Sequence, residues 1–85
     1  MKTIKEYRIK KDIITPQTVY ITKGASVVKL LDLGYNELAL FVLCDPLQND
    51  SDLRTFKICS THETLYTDAV CYIGTFDNQH VIELL

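Results

Sequence analysis

The stretch Glu37-Leu38-Ala39-Leu40-Phe41-Val42-Leu43-Cys44-Asp45 contains seven consecutive apolar residues between two acidic ones. Successive side chains of a strand point to opposite faces, so a strand with one wet face alternates apolar and polar residues. This stretch does not alternate, and both of its faces therefore need cover. A buried helix is the competing interpretation, but seven residues is a strand length, and Gly34, Asn36 and Pro46 bound the run with turn residues. We predict a central strand that is buried on both faces.

The rest of the chain divides into short alternating or apolar segments separated by turn signals. The segments with a strand pattern are Thr3 to Lys10, Gln17 to Thr22, Ser26 to Leu33, Arg54 to Cys59, Ala69 to Phe76 and His80 to Leu85. Seven strands with such frequent turns predict an all-β fold, a small antiparallel sandwich or barrel of six to seven strands. Residues 1–85 form a single β domain in this prediction. Ser60 followed by Glu63 allows one short helical turn.

Alternation along the predicted strands indicates which side chains face the core. In the first strand Tyr7 and Ile9 point inward. In the segment from Arg54 to Cys59, Phe56 and Ile58 point inward, and the charge of Arg54 places it in water or at an edge.

Composition and charge exclude several classes of protein. The chain has 85 residues, a net charge of −2 and 47% hydrophobic residues, whereas a nucleic-acid-binding surface normally shows a basic excess. We therefore expect no binding to duplex nucleic acid. The amino terminus has no apolar signal segment, and no apolar run is long enough for a membrane helix. The odd set Cys44, Cys59 and Cys71 lies within apolar runs, which is typical of a reduced, cytoplasmic protein.

Four short motifs, taken in chain order, resemble those of an uncharacterised family of small bacteriophage and prophage proteins. They are Thr22-Lys23-Gly24-Ala25-Ser26-Val27-Val28, the pair Asp45-Pro46, Arg54-Thr55-Phe56-Lys57-Ile58 and Tyr72-Ile73-Gly74-Thr75-Phe76. The family has a Gly-Thr-Gly-His segment where this chain has Ser60-Thr61-His62-Glu63, so both glycines are replaced and the histidine comes one place early. The resemblance implies a phage or prophage gene that is expressed in the cytoplasm of a bacterial host. It implies no particular activity.

Few residues have the pattern of a catalytic or metal site. His62, Glu63, Asp68 and His80 would suit a transition metal if the fold brought them together, but their spacing matches no metal motif. No histidine is placed by the sequence to activate a cysteine. We expect a protein that is not an enzyme and needs no cofactor or metal. A metal-dependent hydrolase built on His62, Glu63 and His80 is the least favoured alternative.

The tyrosines are the more informative residues. Five tyrosines, with no tryptophan, supply rigid apolar area with a polar tip. Tyr20 falls on the outward face of its predicted strand and Tyr35 falls at a turn, where each is available to a base or to a partner's pocket. The general preference of tyrosine for strands explains their number equally well. The predicted ligand- or partner-binding residues are Tyr20, Tyr35, Thr61, His62 and Glu63.

The resemblance implies a phage-encoded protein, and the lack of a catalytic pattern favours a binding protein that inhibits a host process, such as a defence system. It would do so by occupying a host protein or by sequestering a nucleotide ligand. The alternative is a structural or assembly component of the phage particle. The segments Leu38 to Cys44 and Val70 to Phe76 are apolar on both faces, and one thin sandwich covers only one face of each. Because large exposed apolar patches are rare on monomers, we also expect a homo-oligomer, most simply a two-fold dimer.

Overall fold

The computed structural model describes all 85 residues and contains seven strands and no helix. The strands are β1 (Thr3–Lys10), β2 (Gln17–Thr22), β3 (Ser26–Asp32), β4 (Glu37–Cys44), β5 (Ser51–Ser60), β6 (Val70–Phe76) and β7 (Gln79–Leu84). The predicted all-β fold is confirmed. The largest boundary difference is at β5, which begins at Ser51, inside the polar segment, and not at Arg54. Its first residues pair with the end of β2, where Ser51 lies opposite Thr22. The other strand boundaries lie within one residue of the prediction.

The strands form two antiparallel sheets that pack face to face. The first has three strands in the order β1-β4-β3, and the second has four in the order β2-β5-β7-β6. We call them the three-stranded and the four-stranded sheet. The fold is thus a sandwich and not a closed barrel.

The apolar segment that begins at Leu38 is the central strand of the three-stranded sheet, as predicted. Its side chains at Leu38, Leu40, Val42 and Cys44 point into the space between the sheets and are buried. The intervening side chains, from Ala39 to Leu43, point out of the sandwich. The inner face is buried as predicted. The outer face is buried only in part, because no other strand packs on it: Ala39 is buried, Phe41 is half-buried and Leu43 is exposed.

The core is completed by alternate side chains of the four-stranded sheet. Ile21, Phe56, Ile58 and Val81 are almost completely buried and meet the inward side chains of β4. Full burial of one such side chain contributes about 1.5–3 kcal/mol of transfer free energy. The inward positions of Tyr7 and Ile9 agree with the alternation in the sequence.

Arg54 does not lie where the sequence predicted. It shares the inward face of β5 with Phe56, and its guanidinium is largely buried at one end of the core. The prediction placed it in water or at an edge because an unpaired charge is costly to bury. It is paired: Glu83, on the neighbouring strand β7, is itself buried and supplies the counter-charge.

The two lateral edges of the sandwich are closed in different ways. Between β1 and β2, the side-chain amide of Gln17 forms two hydrogen bonds with the Lys10 backbone, as a neighbouring strand would. Its Nε2 donates to the Lys10 carbonyl, and its Oε1 accepts from the Lys10 N–H, both at 2.6 Å. Between β3 and β6, Gly74 lies so close to Leu30 that an added Cβ would be 3.3 Å from the leucine side chain. Beyond this close approach the sheets separate into a cleft.

Tight turns fix the register of two hairpins. The turn between β6 and β7 consists of Asp77 and Asn78, with φ of 44° and 61°, which is the two-residue form that suits the twist of a hairpin. The predicted turn between β3 and β4 contains Gly34 and Tyr35, both with positive φ. These turns confirm the breaks that the sequence indicated.

Candidate functional site

The connection between β5 and β6 crosses the outer face of the four-stranded sheet. These two strands lie on either side of β7 and are both antiparallel to it, so they are parallel to each other. A connection between parallel strands must run back over the full length of the strands, from the end of one to the start of the next. Thr61 and Glu63 contact His80 and Lys57, whose side chains point outward, so the return path lies on the outer face. We call this face, with residues 61–69 across it, the crossover face.

The crossing connection explains a pattern of burial that alternation alone does not. Ile82 and Cys59 point away from the core, yet both are only 5% exposed. Leu65, in the middle of the connection, is half-buried although its neighbours are exposed. Residues 61–69 thus supply local cover to the outer side of β7.

His80 is held between two hydroxyl groups on the crossover face. Its Nε2 lies 2.8 Å from Thr61 Oγ1, and its Nδ1 lies 2.9 Å from Tyr72 Oη. A neutral imidazole has one N–H donor and one acceptor, and a hydroxyl can serve either. Both tautomers are therefore satisfied, and the ring is fixed with its two nitrogens occupied by protein groups.

Glu63 anchors the start of the crossing connection. Its carboxylate accepts from Lys57 Nζ at 3.0 Å and from the Ser60 backbone N–H at 3.2 Å. The hydrogen bond from Lys57 lowers the pKa of the Glu63 carboxyl below its ordinary value, and the Ser60 amide adds to the effect. The bond to the Ser60 amide is half of the predicted capping box. No helical turn follows it: Glu63 N–H donates to the Ser60 carbonyl across a β-turn, in which His62 has φ of 70°.

The exposed part of the crossover face is apolar and aromatic. Tyr20, Leu53 and Tyr72 are 67%, 54% and 59% exposed. Tyr20 lies opposite Leu53 on the β2 side of the sheet, and Tyr72 lies at the β6 edge. Large side chains of this kind, each with an apolar body and most with a polar tip, are those that protein interfaces use as anchors.

A second apolar surface lies on the opposite side of the molecule. We call it the three-stranded face, which comprises the outward side chains of β1, β4 and β3. Ile4 and Val28 are more than half exposed there, and Leu43 and Leu31 are partly exposed. Ile4, Val28, Lys29 and Phe41 line a shallow groove of about 370 Å³.

A cleft of about 330 Å³ opens where β3 and β6 separate, and an ion pair lies in its wall. Arg54 donates to both carboxylate oxygens of Glu83, at 2.5 and 2.6 Å, and to the Ala25 carbonyl at 2.7 Å. The hydrogen bonds that Arg54 donates to the Glu83 carboxylate raise the pKa of the guanidinium above its already high ordinary value. Since its partners come from the protein itself, this arginine holds the end of the sandwich together.

A family model matches residues 1–84 of the chain, which is almost all of it, and its description is a domain of unknown function, DUF7352. The chain belongs to the DUF7352 family. No curated protein and no solved structure matches it. Nor does this DUF7352 domain contain a helix that is long and apolar enough to cross a membrane.

The predicted binding residues of this DUF7352 domain do not form one group. Tyr20, Thr61 and Glu63 belong to the crossover face, and His62 is exposed at the turn that begins the crossing connection. Tyr35 lies at the β3–β4 turn of the other sheet and is 99% exposed. Tyr35 and Tyr20 share only their residue type and their exposure, because the strand order places them on different sheets.

Sequence reasoning missed Tyr72 and Lys57 as members of the crossover face of this DUF7352 domain. Tyr72 lies in a segment that is apolar on both sides, so no alternation showed which side chains point outward. In the register of β6 against β7, Tyr72 lies opposite the outward-pointing Ile82, and a bulge separates it from Gly74, so its side chain belongs to the outer face. His80 was considered only as a metal ligand, and no three side chains of His, Cys, Asp or Glu come together in a metal-binding group.

Proposed function

We propose that this chain is a small binding protein, encoded by a phage or prophage, that inhibits a host process such as a defence system by occupying a host protein. The observation that carries the binding role is the crossover face, on which Tyr20, Leu53 and Tyr72 are all more than half exposed. The phage setting rests on the sequence motifs, above all Tyr72-Ile73-Gly74-Thr75-Phe76.

The dimensions of the crossover face favour a protein partner over a nucleotide. Tyr20 and Tyr72 lie on the two edge strands of a four-stranded sheet, and their rows are four residues apart along β5. With strands about 4.8 Å apart and about 3.3 Å per residue, the two tyrosines are separated by on the order of 20 Å. A single nucleotide does not reach both, whereas a standard protein interface of about 800 Å² per partner does.

The charge arrangement also favours a protein partner. Arg54, a group suited to bind a phosphate, already has its donors directed at Glu83 and at the Ala25 carbonyl. On the crossover face, Lys57 is paired with Glu63. Fixed, paired charges beside exposed aromatic side chains resemble the polar rim and apolar centre of a protein interface.

The test is affinity capture from a bacterial lysate with two matched tyrosine variants. We expect the chain to retain a defined host protein and Tyr20→Ala or Tyr72→Ala to reduce its retention about tenfold or more, as for interface anchors. Tyr35→Ala removes an equally exposed tyrosine outside the crossover face and should retain the partner fully. Equal capture by all three variants would refute the assigned face.

A second measurement tests the role in infection. Cells that express the chain should become more sensitive to phages that a defence system otherwise restricts, and Tyr20→Ala should lose this effect. Recovery of the chain in purified virions, with no effect on restriction, would instead support a structural or assembly component. Retention of a nucleotide and of no protein would support sequestration of a ligand.

A further inference from the structure

The three-stranded face leaves apolar side chains in water on the side of β4 that faces away from the core. Of its outward positions on β4, Leu43 is exposed, Phe41 is half-buried and Ala39 is buried beneath its neighbours. The neighbouring strands add the exposed side chains of Ile4, Val28 and Leu31. A contiguous exposed apolar surface of this kind marks an interaction site on a small protein.

The charges beside the apolar residues are arranged in one row. In the pairing registers, Phe41 lies opposite Glu6 on β1 and opposite Lys29 on β3. The centre of the face is therefore flanked by a carboxylate on one side and an ammonium group on the other. Within its own chain the Glu6 carboxylate accepts one hydrogen bond, from Arg8 Nε at 3.3 Å, through a single oxygen. If a second copy of this face packs on the first in a suitable orientation, its Lys29 can pair with Glu6 and its Glu6 can pair with Lys29.

We propose that the three-stranded face binds a second copy of this chain about a two-fold axis that runs along β4. Rotation about that axis exchanges the β1 side and the β3 side of the facing sheet. Glu6 of each copy then lies opposite Lys29 of the other, and the two Phe41 side chains meet at the axis. A symmetric dimer uses each contact twice, so two Glu6–Lys29 pairs form.

The charges also exclude the other simple orientation. A two-fold axis that is perpendicular to the strands and passes through Phe41 would place Glu6 opposite Glu6 and Lys29 opposite Lys29, and like charges facing across an interface are unfavourable. An axis shifted by one residue pair would place Glu6 opposite Arg8 and leave Lys29 without a counter-charge, so only the axis along β4 pairs Glu6 with Lys29. In the orientation along β4, Arg8 lies opposite Leu31 of the second copy. There its aliphatic stem can cover apolar surface while its guanidinium stays beside Glu6 of its own chain.

The size of the face sets the expected strength of the dimer. Three strands of about eight residues, about 4.8 Å apart and rising about 3.3 Å per residue, give a flat area on the order of 400 Å² in projection. Counted over both copies this is about 800 Å², which is below the range of stable interfaces and typical of weak, reversible association. We therefore expect dissociation in the micromolar range.

Sedimentation velocity from low micromolar to a few hundred micromolar concentration tests the dimer and its orientation together. The chain should approach twice its 9.7 kDa mass as concentration rises. Glu6→Lys and Lys29→Glu should each weaken association about tenfold or more, because each change creates two like-charge contacts. The double variant Glu6→Lys/Lys29→Glu exchanges the charges and should dimerise within about threefold of the unchanged protein.

A control variant separates the effect of this interface on dimerisation from a general effect of charge. Lys23→Glu makes the same charge change at an exposed turn outside the face and should dimerise normally. Circular dichroism confirms that each variant is folded. A monomer at every concentration, or a dimer that neither single exchange weakens, would overturn the proposal, as would a double variant that stays monomeric. Because dimerisation is measured on the purified chain alone, its failure would leave the proposed host partner untouched.

Discussion

At the scale of single residues, the backbone at His62 lies in a conformation that suits glycine. Its φ of 70° is in the left-handed region, which few residues other than glycine adopt, although histidine is found there more often than most. The hydrogen bond from the Glu63 N–H to the Ser60 carbonyl closes the turn in which His62 takes this conformation.

We expect His62→Gly to raise the free energy of unfolding by about 0.5–1 kcal/mol, because relief of the strained backbone outweighs the added freedom of the unfolded chain. Urea denaturation measures the change. Thr64→Gly is the matched control, since Thr64 is nearby, exposed and has no positive φ, and it should lose stability. A loss of stability in both variants would show that the turn tolerates histidine without strain.

The ion pair between Arg54 and Glu83 gives a second prediction at this scale. Arg54→Met should lower the free energy of unfolding by about 3 kcal/mol, because it leaves the buried Glu83 carboxylate and the Ala25 carbonyl without their donor. The double variant Arg54→Met/Glu83→Leu removes both charges and should recover most of that loss. Chemical denaturation of the two variants checks this, and an equal loss in both would contradict it.

At the scale of elements, Glu63 holds the crossing connection to β5 in a pH-dependent way. Its pKa is lowered in the folded protein by the hydrogen bond from Lys57, so the folded state favours the ionised form. The stabilisation is fully present above the ordinary carboxyl pKa and is lost as pH falls through the lowered value. Stability should therefore decline on acidification, and Glu63→Gln should remove this part of the decline.

The titration of Glu63 itself can be followed by carboxyl carbon chemical shifts. We expect a midpoint below the ordinary glutamate value, and Lys57→Met should move it upward, since Lys57 is the largest cause of the lowering. Lys23→Met, which removes a lysine far from this contact, is the control and should leave the midpoint unchanged. A midpoint that is insensitive to Lys57→Met would mean that the ion pair does not form in solution.

The sequence predicts the individual strands and turns well, but it does not predict which strands pair with each other. The strands and turns follow from local signals, such as the apolar run from Leu38 and the pair Asp77-Asn78, whose backbone fits a tight hairpin. The crossing of β7 by residues 61–69 depends on strand order, which has no local signal. Arg54 was misplaced for the same reason: only the adjacency of β5 and β7 reveals the counter-charge of Glu83.

The candidate site was predicted in part. Tyr20 was assigned outward from the alternation of β2, and Thr61 and Glu63 from the segment that departs from the family motif. Tyr72 and Lys57 were missed because they join this surface only through the registers of β6, β7 and β5. The sequence therefore indicates part of the crossover face through residue type and alternation. The pairing of strands that are distant in sequence determines the rest.

At the scale of the whole molecule, the sandwich has two outer faces with different character. The crossover face carries a crossing connection and exposed tyrosines, whereas the three-stranded face is an open sheet with a central aromatic ring. The proposals assign a partner of a different kind to each face. The two roles are compatible because the faces lie on opposite sides of the core.

Dimerisation predicts that thermal stability depends on protein concentration. Because association favours the folded state by mass action, a hundredfold rise in concentration should raise Tm by several degrees in a domain of this size. Scanning calorimetry at two concentrations measures this. Ile4→Ser, which removes an exposed apolar side chain from the three-stranded face, should reduce the concentration dependence, and an unchanged Tm in the parent chain would argue against a dimer.

The position of β7 has a consequence for the order in which the molecule assembles. It is the last of the seven strands to leave the ribosome, yet it lies between β5 and β6, which are made earlier. Until Gln79–Leu84 has been synthesised, β6 has no strand with which to form backbone hydrogen bonds, and β5 can pair only with β2. A nascent chain that stops before Gln79 therefore keeps its four-stranded half incomplete, and it exposes Phe56 and Ile58 to the chaperones and proteases of the cell.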